Sequence, residues 1–158
     1  MDRFFNRFFF PFALALILGG LIYIFLRPSE AIFFNWLKSI GFYERLMPLR
    51  LNFIHLSKSL PAWFIYSLPN GLWAFAYSLF ITCIWWYNKN WVKIIWISSI
   101  PLLILGFEVL QFTETIPGTF CWQDIFFGAL GLTLGIIVGI KPKYKHNYEN
   151  KRIKEPYS

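Results

Sequence analysis

A chain of 158 residues that is 57% hydrophobic, 22% aromatic and only 15% charged, with mean hydropathy +0.50, cannot hide its apolar surface in one soluble core. The composition excludes a water-soluble domain and points to one small membrane domain. The net charge of +7 lies mostly in the C-terminal tail, where anionic lipid headgroups account for it, and the tail lacks the glycine-rich or interleaved aromatic pattern of a nucleic-acid binder.

The first apolar run, residues 8–26, follows Arg3 and Arg7 and is closed by Arg27-Pro28. A basic start before an apolar core resembles a signal peptide. Its core is long, however, and no small-x-small cleavage site immediately precedes Arg27-Pro28, so it reads as a retained signal anchor. A helix signal comes next: Ser29 as N-cap, Glu30 in the first turn and Gly41 as the stop. Ile32, Phe33, Trp36, Leu37 and Ile40 fall on one face of that helix, which predicts an amphipathic helix lying in the outer interface. Residues 43–61 mix Arg45, Arg50, His55 and Lys58 with leucine and phenylalanine, the pattern of a short re-entrant or interfacial stretch.

Three further spans are expected at 71–87, 92–112 and 122–140, the first of them opening at Pro69-Asn70-Gly71. The four spans hold 17 to 21 residues each, which at about 1.5 Å per residue matches a hydrocarbon core of about 30 Å. The expected fold is an all-α four-helix membrane bundle over residues 1–140, with an outer loop at 27–70 and a basic tail at 141–158. Ten basic residues lie on the side of the two termini and five on the other, all five in the 27–70 loop, so the positive-inside rule places both termini in the cytoplasm.

Cys83 falls deep inside the second span and Cys121 at the outer end of the fourth, while His55 and His146 lie on opposite sides of the membrane. No disulfide, no metal site of Cys/His type and no cofactor are expected.

The most informative residues are two carboxylates in a chain with eight acidic residues: Glu108 inside the third apolar run and Asp124 at the start of the fourth. A carboxylate at a span centre costs about 2.5–3.5 kcal/mol on insertion scales, so each needs a reason. The four-span topology carries Asn70, Glu108, Gln111, Gln123 and Asp124 to one end of the bundle. Glu108 and Gln111, three residues apart, share a helical face. Asp124, in the first turn of its helix, is favoured by the helix dipole and is expected to help cap it. Glu108 is expected to depend on Gln111, Asn70 or Gln123 for a partner. Gly131, Gly135 and Gly139 recur every four residues, with Gly128 near the same stripe. They form a groove for another helix, either span one with its Gly19-Gly20 or a second subunit of a homo-oligomer or larger complex.

Three elements in order, Glu108-x-x-Gln111, Pro117-Gly118-Thr119-Phe120-x-x-x-Asp124 and Gly128-Ala129-x-Gly131, together with Leu68-Pro69-Asn70-Gly71-Leu72-Trp73, resemble the VanZ-like membrane proteins. The resemblance covers residues 68–139. Cys121 stands where the family has its first aspartate, and Phe127 where it usually has asparagine. It implies a small bacterial envelope protein, some of whose relatives are associated with glycopeptide resistance. Three readings stay open at this stage. The first is a site built on Glu108, Gln111, Asp124, Asn70 and Gln123 that binds membrane lipids, a lipid-linked precursor or a glycopeptide-type ligand. The second is an integral-membrane enzyme using the carboxylate pair for acid–base work. The third is a structural subunit in which that pair locks two helices.

Overall fold

The computed structural model describes residues 2–28, 32–116 and 119–140. The Ser29–Glu30 helix start, the Pro117-Gly118 pair and the basic tail at 141–158 lie outside the described residues. The chain is all-helical: α1 Asp2–Leu26, α2 Ile32–Ser39, α3 Tyr43–Ser57, α4 Ala62–Trp85, α5 Val92–Phe112 and α6 Trp122–Gly139. Four of these carry stretches long and apolar enough to cross a membrane: Phe8–Leu26, Ala62–Trp85, Val92–Phe112 and Trp122–Gly139. The protein is a multi-pass membrane protein in architecture.

Helix α4 is the axis. Half of its apolar window is buried, against 11% for α1 and α5, so its neighbours turn most of their apolar surface outward. Antiparallel packing on α1 is marked by Phe12 against Phe80 (ring centroids 5.5 Å apart) and Tyr23 against Trp73 (5.4 Å). Antiparallel packing on α5 is marked by Trp85 stacked on Trp96 and by a 2.7 Å hydrogen bond between the Tyr77 and Ser99 hydroxyls. Helix α6 runs parallel to α4 and touches it backbone to backbone. A Cβ on Gly131 would strike the Gly71 carbonyl, one on Gly135 would strike Ser78 Oγ and lie 2.5 Å from the Phe75 carbonyl, and one on Gly139 would come within 2.8 Å of Thr82. The glycine stripe therefore serves the second span, not the first or a second subunit. Gly71, Ser78 and Thr82 offer the small complementary surface that a close approach needs. Gly19 instead lets the Trp73 indole lie against α1.

One span boundary differs clearly from the sequence expectation. The second span begins at Ala62, nine residues before the expected Gly71, with the extended Pro61 (ψ 148°) as its N-cap. Pro69 is a buried interior residue of this helix, of the kind that packed membrane helices tolerate. In the first loop, Gly41 (φ +68°) does end α2. The amides of Gly41 and Phe42 bond back to Lys38 and Leu37 in a Schellman turn, a geometry that only a residue without Cβ adopts freely. The protein-facing edge of α2 is Phe34 (0% exposed) with Leu37, whereas Trp36 and Ile40 of the predicted stripe are more than two-thirds exposed. Phe34 wins because Tyr23 stacks on it and a buried arginine from α3 covers its face. Residues 43–57, expected as a re-entrant or interfacial stretch, form the 15-residue helix α3.

Candidate functional site

Where α1 and α5 end and α4 and α6 begin, the helices leave a cavity of about 770 Å³. All five polar residues singled out from the sequence line it: Asn70 from α4, Glu108 and Gln111 from α5, Gln123 and Asp124 from α6. Asn70, Gln111 and Asp124 are half-buried, Glu108 is only 7% exposed, and Gln123 is exposed. The earlier start of α4 adds Tyr66 and Ser67 to the wall, on the same helical face as Asn70, Trp73 and Tyr77.

The two carboxylates are within coulombic reach of one another but do different things. Cys121, the N-cap residue of α6, makes no side-chain cap. Its backbone N–H instead donates to Glu108 Oε2 at 3.4 Å. In a capping box, the carboxylate three positions into a helix accepts the N-cap amide; here a residue of the preceding helix does so. Asp124, which occupies that third position, is left facing the cavity, and its Oδ1 is buried without a hydrogen-bond partner. This corrects the expected roles: the cap comes from Glu108, whose partner is a backbone amide and not Gln111, Asn70 or Gln123.

Sequence reasoning missed the opposite pole of the site. Arg27, just past α1, lines the cavity. Its guanidinium donates to the Tyr66 carbonyl at 3.1 Å, lies over the Tyr23 and Tyr66 rings at 4.6 and 5.4 Å, and leaves Nε buried without a partner. A basic residue at a span end normally signals orientation, and that reading hid this one. The remaining signal was depth, since the same topology that gathers the five polar residues ends α1 beside them. Behind Arg27 stands Arg50 of α3, 4% exposed. It donates to the Arg27 carbonyl at 2.6 Å and sits 4.0 Å over the Phe34 ring. Burial lowers the Arg50 pKa from its ordinary value, with the Tyr43 phenol opposing. Arg50 thus fixes the backbone from which Arg27 projects.

The site is a polar pocket with a cationic wall and an anionic wall. Among the described residues, no ion pair joins Arg27 to Glu108 or Asp124. Leu103, Ile104 and Phe107 of α5 give it an apolar flank. Cys83 and Cys121 are not joined in a disulfide, and among the described residues no cluster of His, Cys, Asp and Glu is arranged to hold a metal. The class defined by fold and site is a multi-pass helical membrane protein with a two-signed polar cavity at one end of its bundle. No family model, curated protein or solved structure matches the chain.

Proposed function

We propose that the protein binds the polar part of an envelope lipid, a lipid-linked precursor or an amphiphilic antibiotic in this cavity, from the outer leaflet of a bacterial inner membrane. The observation that carries the reading is Asp124 Oδ1, a buried acceptor with no partner, on the wall of a cavity of about 770 Å³, a ligand-sized volume. The ten-to-five distribution of basic residues supports cytoplasmic termini and hence an outward-facing site. The exposed Trp36 and Ile40 of α2 support an interfacial position for that helix. The ordered elements around Glu108, Asp124 and Gly131 support a VanZ-like affiliation, and with it a glycopeptide as one amphiphilic occupant.

An acid–base enzyme is the second reading, favoured by two carboxylates facing one cavity. The engagement of Glu108 with the Cys121 amide weighs against it, as does the absence of histidine among the described residues that line the cavity. Native mass spectrometry and lipidomics of the protein purified in a mild detergent test the binding reading. A retained amphiphile that is lost on Asp124→Asn with the fold intact is the expected result. A lipid-free protein that takes up none of the three amphiphile classes would refute it.

A further inference from the structure

Resting on the reading of the cavity as a lipid site, we infer that its ligand is a zwitterionic lipid headgroup in which a primary ammonium is joined to a phosphodiester. Three observations lead there.

The first is that the site's charges are not used up on each other. Arg27 is held by a backbone carbonyl and two tyrosine rings, with Nε unpartnered, and Asp124 keeps Oδ1 unpartnered on another element of the same cavity. A purely anionic headgroup would satisfy the arginine and meet two carboxylates. A purely cationic one would satisfy Asp124 and meet the arginine. A headgroup carrying both charges across a short bridge answers both walls at once.

The second is the chemistry of the acceptor. A buried carboxylate oxygen without a donor needs a hydrogen-bond donor and not merely a positive charge, which among cationic groups selects a primary ammonium over a quaternary one. Glu108 does not compete for that ammonium on equal terms, since its Oε2 already accepts the Cys121 amide.

The third is the flank. Leu103, Ile104 and Phe107 continue the polar chamber along α5, and Phe107 is 57% exposed, so an acyl chain attached to the headgroup has an apolar path to the bilayer. The phosphodiester would lie against Arg27, the ammonium against Asp124, and the chains along α5.

The test is calorimetric titration of the full-length protein in detergent with four probes: the dihexanoyl forms of phosphatidylethanolamine, phosphatidylglycerol and phosphatidylcholine, and soluble glycerophosphoethanolamine. Phosphatidylethanolamine is expected to bind at least about tenfold tighter than phosphatidylglycerol and phosphatidylcholine, the preference that one charge-assisted hydrogen bond supports, and at least about tenfold tighter than the soluble headgroup through its acyl chains. Asp124→Asn should abolish the preference over phosphatidylglycerol, whereas Arg27→Gln should weaken both lipids and Arg27→Lys should restore part of the loss. The preference is measured on the unsubstituted chain, so it stands even if a variant fails to fold. Equal affinity for phosphatidylglycerol or phosphatidylcholine would overturn the zwitterion assignment while leaving a lipid site in place. Equal affinity for the soluble headgroup would overturn the lipid source. Binding of none of the four overturns this inference without touching the antibiotic or lipid-linked alternatives, which only a protein that takes up no amphiphile at all would remove.

Discussion

Replacing Glu108 separates the scaffold from the site. Its carboxylate is 7% exposed and accepts the amide that opens α6. In Glu108→Ala that amide loses its acceptor beside a new void. Losing a helix cap costs about 0.5–2 kcal/mol, and an unsatisfied buried donor about 1–3 kcal/mol. The bond is long at 3.4 Å, which places the expected loss near the lower-middle of those ranges, at about 1–2 kcal/mol. Glu108→Gln keeps a carbonyl acceptor in place and should cost less than about 0.5 kcal/mol. Asp124→Asn removes charge from an oxygen that bonds to nothing, so its stability cost should also stay within about 0.5 kcal/mol while ligand retention falls. Equilibrium unfolding in mixed micelles, followed by tryptophan fluorescence, gives the three values. If Asp124→Asn proves more destabilising than Glu108→Ala, the division of roles between the two carboxylates is wrong.

The glycine stripe predicts a sharp contrast. Gly135→Ala drives a Cβ into Ser78 and the backbone of Phe75 and Leu79 and should cost about 2 kcal/mol or more, whereas Gly20→Ala, with nothing within 4 Å, should be neutral or slightly stabilising by the same unfolding assay. Glu114 holds a left-handed conformation (φ 56°) in the turn that ends α5, so Glu114→Gly should raise stability by about 0.5–1 kcal/mol; a loss would show that its side chain matters. Arg50→Met should loosen the α3–α1 contact by about 1–2 kcal/mol through the lost bond to the Arg27 carbonyl and the lost stacking on Phe34, and should weaken ligand retention with it. A single cysteine at Thr115 in a cysteine-free background should react only with externally added, impermeant maleimide; labelling from the cytoplasmic side alone would invert the orientation.

The spans were legible because their apolar runs are long and nearly uncharged, a signal that survives any packing arrangement. The start of α4 was not, since Pro69-Asn70-Gly71 carries every local mark of a turn and only burial against α6 keeps it helical. The burial of Phe34 was not legible, because the arginine that covers its ring lies 16 positions away. The grouping of Asn70, Glu108, Gln111, Gln123 and Asp124 followed from topology alone. What each carboxylate does was hidden, because the deciding donor is a backbone amide at Cys121, and backbone donors leave no trace in residue type. Arg27 and Arg50 escaped notice for a related reason: their partners are carbonyls and aromatic rings instead of acidic residues.

The cap that α5 supplies to α6 also bears on how the chain enters the bilayer. Emerging alone, α5 must present Glu108, four residues from its end, to lipid at a penalty that approaches but stays below the roughly 2.5–3.5 kcal/mol of a span centre. The amide that relieves it is not synthesised until Cys121, and α6 for its part starts with no side-chain cap of its own. Each helix holds what the other lacks, so the α5–α6 hairpin, and not the single helix, is the unit expected to leave the translocon. A glycosylation-mapped insertion assay would register this as poor integration of isolated α5, rescued either by Glu108→Leu or by appending residues 113–140. Efficient integration of the unaltered single helix would show that the chain needs no such partnership at birth.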